Sequence, residues 1–194
     1  MQERATRSGN PQRQAGIWQM APQALTFLYL LLTLAVFLAA PFLAASWMEK
    51  PFIGAFVEQT LVFNGNDSAS QPSVWSARGQ GLVFGYQLLE VNNTAVQNAG
   101  ELSNLLDSLP TGAQVDLTVR TPAGEVQQVP VNLITFPVRD RWVYHYVPYL
   151  IGLFYLASAL WVFFLRRHTQ EGRTFAIFAA SVAIGIAALF DLYT

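Results

Sequence analysis

A long uncharged apolar run near the N-terminus constrains this chain more than any other feature. No residue between Ala24 and Trp47 is charged, and about 20 apolar residues in a helix cross a hydrocarbon core of ~30 Å. Two similar runs follow at Val147–Leu165 and Phe175–Phe190. The sequence therefore predicts an α-helical membrane protein with three transmembrane helices, at residues 24–47, 147–165 and 175–193.

The composition excludes several other classes of protein. Of 194 residues, 53% are hydrophobic and 12% are charged, whereas average soluble domains carry roughly 25% charged residues. High hydrophobicity argues against disorder, and the absence of cysteine excludes disulfides and thiolate metal sites. With 11 Lys and Arg residues against 12 Asp and Glu, the chain lacks the concentrated basic face of a nucleic-acid-binding protein.

The placement of basic residues predicts the orientation. The tail 1–23 carries three arginines and the connection 166–174 carries three more, and short loops rich in Lys and Arg stay in the cytoplasm. The intervening segment 48–146 has five basic and nine acidic residues, so we expect it on the outer side. We thus predict a multi-pass cell-membrane protein, in contact with the lipid bilayer, whose N-terminus is cytoplasmic.

A cleaved secretory signal peptide is the alternative for the first span. Pro41 interrupts the apolar run, and Ala44-Ala45-Ser46 offers small residues for cleavage. The long preceding tail and the length of the run favour an uncleaved anchor. Both interpretations leave residues 48–146 outside the cytoplasm.

The outer segment shows mixed patterns typical of a small α+β domain. Residues 52–57 and 60–63 look like strand pieces, 64–73 is a polar loop, and 86–91 is a strand. Leucines at 102, 105, 106 and 109 recur on one face of a short helix. Alternating apolar residues at 115–119 and returning valines at 126–131 indicate two further strands.

These residues resemble a PDZ domain of the bacterial type over a core of residues 51–136. The likeness lies in Gly81-Leu82, Gly85, the strand end Val91-Asn92-Asn93, the leucine-rich helix, and the alternation of Val115 to Val119. Tyr86 and Asn93 depart from the usual Asp and Gly of that pattern.

The resemblance implies that the domain binds an extracytoplasmic peptide or protein C-terminus by adding it as a strand beside a helix. The corresponding peptide-binding residues are Phe52, Ile53, Gly54, Ala55 and Phe56, with Leu105 on the helix. The alternative is that Phe52 and Ile53 only anchor the domain where the first span ends, and that Leu105 is ordinary core.

Catalytic and metal-binding patterns are missing from the sequence. His145 lies in an aromatic stretch and His168 in the basic connection, with a predicted span between them. There is no His-Glu-x-x-His, Gly-x-Ser-x-Gly or P-loop motif. We therefore expect a non-enzymatic chain with no metal and no cofactor.

Small residues in the last two predicted spans favour close helix packing. Ser181 and Gly185 lie four residues apart among alanines, and Gly152 offers an opposing surface on the second span. The acid nearest a span is Asp191, which we expect to be a solvated residue at the helix end.

The order of anchor, outer domain and further spans resembles the N-terminal sensory region of bacterial membrane sensor kinases. That resemblance implies further membrane helices or a signalling domain beyond this region. The alternatives are an adaptor that presents peptides to a separate membrane protease or secretion complex, and an assembly subunit that binds no peptide.

Overall fold

The structure, a computed structural model, describes residues 11–188 and divides into two compact units. Within these residues, the helical unit takes in 11–37 and 152–184, and the sheet unit takes in 38–151 and 185–188. The helices are α1 (Pro11–Met48), α2 (Ser76–Gly79), α3 (Ala99–Asp107), α4 (Val138–Arg141), α5 (Val147–Arg166) and α6 (Gln170–Ala187). The strands are β1 (Gln87–Val91), β2 (Thr94–Ala95), β3 (Gln114–Arg120) and β4 (Val126–Asn132).

The sheet is antiparallel with the strand order β2-β1-β3-β4. Strand β3 is central because Val115, Leu117 and Val119 alternate toward the core and are almost fully buried. It pairs with β4 along its whole length through a turn at Gly124, whose φ of 90° suits glycine. The α+β character predicted for this segment is confirmed.

Helix α3 covers one face of the sheet. Leu102 and Leu106 are buried, while Leu105 and Leu109 are partly buried against the same core. The Asn98 side chain accepts a hydrogen bond from the Glu101 amide, and the Glu101 carboxylate accepts one from the Gln97 amide. This reciprocal capping fixes where the helix begins.

Two separate hydrophobic clusters stabilise the sheet unit. The sheet core contains mainly aliphatic residues from the strands and α3, among them Ile53, Ala55, Leu88, Leu102, Leu106 and Leu117. The aromatic cluster joins the last turns of α1 to the start of the domain, and its residues are Ala44, Trp47, Met48, Phe52, Phe56, Trp75, Ile134, Phe136 and Tyr144.

The predicted strand pieces at 52–57 and 60–63 form only three isolated bridges, Phe52 with Ile134, Val57 with Phe63 and Val62 with Gln87. Gly54 and Leu61 have φ values of 77° and 62°. A left-handed residue turns the chain out of the extended conformation, so neither piece becomes a regular strand.

The helical unit packs through an alanine face on α6. Ala176, Ala179, Ala180 and Ala183 are fully buried there, and small side chains allow close approach of helices. The Ser181 hydroxyl is hydrogen-bonded to the Tyr29 hydroxyl of α1 at 2.8 Å.

The two glycines predicted to assist this packing differ in how closely other atoms approach them. A Cβ added at Gly152 would lie 2.9 Å from a ring carbon of Phe37 and 3.4 Å from the Ala183 carbonyl oxygen, so a larger residue there would force the Phe37 ring to move. Gly185 is exposed and an added Cβ would meet no atom within 4 Å. The alanines, which the sequence interpretation treated as flanking residues, form the buried face.

Two helical stretches, Met20–Met48 and Val138–Arg166, are long and apolar enough to cross a membrane by length and composition. The predicted third span begins within α6 but extends beyond residue 188, and Asp191 lies outside the described residues.

The predicted connection 166–174 is shorter than expected because Thr169 caps α6, its hydroxyl accepting a hydrogen bond from the Gly172 amide.

Candidate functional site

A cleft lies in the sheet unit between the segment Pro51–Val57 and helix α3. Four of the predicted binding residues, Phe52, Ile53, Ala55 and Phe56, line one wall together with Trp47 and Lys50. The opposite wall is formed by Leu102, Ser103, Leu106 and Asp107 of α3. The cleft encloses about 60 Å³, which is room for a few water molecules, since one needs roughly 10–15 Å³.

Two of the predicted residues lie elsewhere. Leu105 packs partly buried against the sheet core, and its helix neighbours Leu102 and Leu106 face the cleft instead. Gly54 is adjacent to the cleft but does not line it. Helical spacing places three leucines on one broad face, so the sequence could not determine which of them borders an opening.

Glycine is required at position 54 by packing inside the domain. A Cβ there would lie 2.2 Å from the Ser76 amide nitrogen, and φ is +77°. The Gly54 carbonyl accepts a hydrogen bond from the Arg78 amide, and the Ile53 carbonyl accepts bonds from the Ala77 amide and the Ser76 hydroxyl. The segment is therefore fastened to α2 by its carbonyl groups.

The amide groups of the same segment are unpaired. Within residues 11–188, the N–H groups of Ile53, Gly54 and Ala55 donate no hydrogen bond, although all three residues are buried. Buried backbone N–H groups almost always have a partner, and leaving one unsatisfied costs about 1–3 kcal/mol. Three successive amides without acceptors therefore mark this turn as a place where an external acceptor would be stabilising.

The segment ends in one backbone position whose polar groups point away from its bridge partner. The bridge between Val57 and Phe63 is flanked by hydrogen bonds from the Glu58 amide to the Val62 carbonyl and from the Asn64 amide to the Phe56 carbonyl. In such an antiparallel pair the residue between the bonds directs its own N–H and C=O to the other side. The backbone of Val57 makes no hydrogen bond among the described residues, so this position is available for pairing.

One ion pair connects the two walls. Lys50 Nζ lies 2.6 Å from Asp107 Oδ2, and the two side chains are 40% and 36% exposed. Lys50 follows α1 by two residues and its amide donates to the Trp47 carbonyl at 3.0 Å, while Asp107 is the last residue of α3.

A buried arginine and a buried aspartate hold the polar loop 64–73 in place. The Arg78 guanidinium donates to the carbonyls of Asn64, Asn66 and Leu82. Its Nε lies 3.0 Å from an Asp67 carboxylate oxygen. Burial lowers the pKa of Arg78 from its usual value, while the Asp67 charge acts in the opposite direction.

Asp140 holds the middle of this loop. Its carboxylate is fully buried and accepts hydrogen bonds from the Ala69 amide at 2.6 Å, the Trp75 indole nitrogen at 2.7 Å and the Ser68 hydroxyl. Sequence interpretation missed Asp140 because it stands between two arginines, which suggests a solvated charge cluster. It missed Arg78 for a similar reason, since nothing nearby in sequence indicates burial.

The aromatic cluster forms the side of the cleft that faces α1. Phe52 meets Trp75 edge-to-face with ring centroids 5.2 Å apart, and Phe56 meets Trp75 similarly at 5.0 Å. Trp47 contacts Phe52 at 5.7 Å. Such edge-to-face pairs are the geometry that aromatic rings prefer, so this wall has a defined arrangement.

The two histidines lie in different surroundings. His145 is buried and stacks on Tyr149, whereas His168 is exposed beside Gln23. No group of three or more His, Cys, Asp or Glu residues in the described part of the chain could hold a metal ion.

Comparisons with known proteins identify no family. No protein-family model matches the chain, and no curated protein matches it.

Proposed function

We propose that residues 48–146 are an extracytoplasmic peptide-binding domain of a multi-pass membrane protein, similar in mode of action to bacterial PDZ domains. The observation that carries the proposal is the unpaired backbone of Val57 beside an apolar cleft and a helix. An extended peptide that adds to a sheet edge gains affinity from backbone hydrogen bonds and specificity from side-chain pockets. The Pro51–Val57 segment offers both backbone groups for hydrogen bonding and an apolar pocket for side chains.

The unpaired amides support a ligand with a free C-terminal carboxylate. Successive backbone N–H groups in a turn form concave sites that bind anions, and Ile53, Gly54 and Ala55 supply three such groups next to the apolar lining. The last side chain of the ligand would then enter between Ala55 and Leu106. The small cleft volume favours a short aliphatic residue there.

The apolar helices on both sides of the domain support a sensory role. Helix α1 leads into the cleft wall through Trp47, and α4 leads from Asp140 toward α5. A ligand in the cleft therefore contacts residues continuous with a candidate membrane helix. In this proposal the chain is the sensory part of a signalling protein, with the domain outside and the N-terminus in the cytoplasm.

Peptide binding is tested with the full chain in lipid nanodiscs against a library of peptides with random C-termini. Selected peptides should bind saturably, and amidation of their C-terminus should weaken binding by tenfold or more. Ser103→Trp fills the mouth of the cleft and should abolish binding. Asn104→Trp, on the next and exposed position of α3, is the matched control and should leave affinity unchanged.

Two results would overturn the proposal. One is the absence of any saturable peptide. The other is an equal loss of affinity in Ser103→Trp and Asn104→Trp, because the effect would then come from the helix as a whole and not from the cleft.

A further inference from the structure

A second groove, here called the α4 groove, lies in the sheet unit along α4, the turn that follows it and the start of α5. It encloses about 480 Å³, within the range of about 300–1,000 Å³ typical of small-molecule sites. The turn Trp142–Tyr146 is π-helical, a rare geometry that is frequent at functional sites. The α4 groove shares no residue with the cleft, and it is lined by Val138, Arg141, Trp142, Tyr146, Tyr149 and Leu150.

An exposed apolar strip forms much of the α4 groove. Its members recur every fourth residue along the helical stretch, and each is between 39% and 68% exposed: Val138, Trp142, Tyr146 and Leu150. The rings of Trp142 and Tyr146 meet edge-to-face with their centroids 5.1 Å apart. Contiguous large apolar side chains that stay exposed in a folded unit mark a surface that binds another apolar body.

Arg141 places a fixed cationic group beside this strip. Its Nε donates to the Phe136 carbonyl at 3.0 Å, and its Nη2 donates to the Met48 carbonyl at 3.2 Å. A guanidinium has five N–H donors, so three of them have no acceptor within residues 11–188. Because the planar fork of arginine matches the oxygens of a phosphate group, Arg141 is held in position to bind one.

The other charges of this stretch also favour an anion. Arg139 is exposed and makes no ion pair in the described part of the chain. The one acid in residues 138–150 is Asp140, and its buried carboxylate is already bonded to the polar loop and to Trp75. An anionic group at Arg141 therefore meets two positive charges and no exposed acid of the same stretch.

The α4 groove lies where one candidate membrane stretch ends and the other begins. These stretches are Met20–Met48 and Val138–Arg166, and the Arg141 guanidinium bonds to the carbonyl of Met48. Trp and Tyr side chains are enriched at the level of the lipid headgroups. An exposed Trp142–Tyr146 pair beside an arginine is therefore placed to meet a headgroup and the top of an acyl chain.

We propose that the α4 groove binds an anionic phospholipid. Its phosphate accepts hydrogen bonds from Arg141, and its acyl chain lies along Trp142, Tyr146 and Leu150. The same guanidinium bonds to the last residue of α1, so the bound lipid reinforces the junction between the domain and both apolar stretches. The inference rests on the proposed function only for placing this junction at the membrane surface.

Lipid binding is tested by native mass spectrometry of the full chain in detergent, titrated with phosphatidylglycerol or with phosphatidylcholine of the same acyl chains. Phosphatidylglycerol should bind more tightly, because choline brings a positive charge next to Arg139 and Arg141. Arg141→Gln should weaken phosphatidylglycerol binding by about tenfold, since a hydrogen bond between charged groups is worth about one power of ten in affinity. Arg120→Gln, an exposed position at the end of β3, removes the same charge and should leave affinity unchanged.

A second pair of variants tests the apolar strip and covers the case that Arg141→Gln does not fold. Val138→Trp fills the α4 groove and leaves the acceptors of Arg141 in place, so it should weaken phosphatidylglycerol binding several-fold. Val143→Trp is the matched control, because Val143 is exposed in the same stretch but does not line the groove. Its affinity should equal that of the unaltered chain.

Excess inorganic phosphate distinguishes a lipid site from a general phosphate site. It should not displace phosphatidylglycerol, and displacement would overturn the lipid assignment. Equal affinity for the two lipids would also overturn it, as would equal effects of a variant and its matched control. Absence of any bound lipid would contradict the membrane placement as well. Peptide binding is measured separately, so failure of the lipid site and failure of the proposed function are distinguishable.

Discussion

The sheet core and the aromatic cluster lie in the same unit but are built on different principles. The sheet core contains mainly aliphatic residues, and its members on β1, β3, β4 and α3 follow the periodicity of strand and helix. The aromatic cluster gathers residues from five separate stretches of chain, and its central Trp75 is hydrogen-bonded to a buried carboxylate.

The two clusters differ in how many side-chain arrangements they tolerate. Aliphatic side chains in a sheet core tolerate exchange if volume and pattern are kept. A fully buried Asp140 is tolerated only while its donors are present, because an unsatisfied buried charge is costly. The aromatic cluster should therefore be stable in one arrangement only, which suits a junction between an apolar helix and a folded domain.

The largest expected effect comes from removing the centre of the aromatic cluster. Trp75→Ala leaves a cavity that should lower the free energy of unfolding by about 3–5 kcal/mol. It also removes the indole donor of Asp140, and the loss of a hydrogen bond to a charged group should lower that free energy by roughly 1.5–3 kcal/mol more. The matched change in the sheet core, Leu117→Ala, should cost only about 2–5 kcal/mol. Denaturant unfolding of the full chain in detergent, followed by circular dichroism, provides both values. The comparison fails if Leu117→Ala is the more destabilising change.

A smaller effect on the free energy of unfolding is expected from changes that remove only the Trp75–Asp140 hydrogen bond. Trp75→Phe keeps a ring but removes the donor, and Asp140→Asn keeps the shape but removes the charge. Each should lower the free energy of unfolding by about 2 kcal/mol, and the double variant should cost about 1 kcal/mol less than the sum because the two groups act on each other. Glu58→Gln, at an exposed position, should have no measurable effect. Strict additivity would contradict a direct Trp75–Asp140 interaction.

The same contrast explains what could be predicted from the sequence. Alternation at 115–119 and the leucine spacing in α3 predicted the sheet and its covering helix, because periodicity reflects a face buried against one neighbour. The polar loop 64–73 was also predicted. Its attachment to Arg78 and Asp140 was not, because long-range polar partners leave no local pattern.

The candidate site was predictable only in part. The segment 52–56 was identified by resemblance, and four of its residues line the cleft. The role of Gly54 in approaching Ser76 and the placement of Lys50 opposite Asp107 depend on tertiary geometry. Peptide binding itself remains a prediction.

The smallest expected effect concerns the free edge of β4. Pro130 pairs with Asp116, whose amide is already bonded to the Asn92 side chain, so the missing N–H of Pro130 faces the solvent side. Pro130→Val should change the free energy of unfolding by no more than about 0.5 kcal/mol. It adds a backbone N–H donor to the edge strand, and such donors promote edge-to-edge association between molecules. Sedimentation or light scattering of the purified protein should show self-association. Gln128→Val, which adds an apolar side chain and no donor, should remain unchanged, and equal association of both variants would contradict the edge argument.

The alternation of Phe52 and Phe56 with Ile53 and Ala55 makes the length of this segment critical. Phe52 and Phe56 belong to the aromatic cluster, and Ile53 and Ala55 belong to the sheet core. Insertion or deletion of one residue would therefore remove at least one of these side chains from its cluster. A deletion scan of the chain should therefore find residues 51–57 intolerant of any change in length. The exposed turn at Pro122–Gly124, by contrast, should accept added residues, because lengthening a surface turn costs little closure entropy.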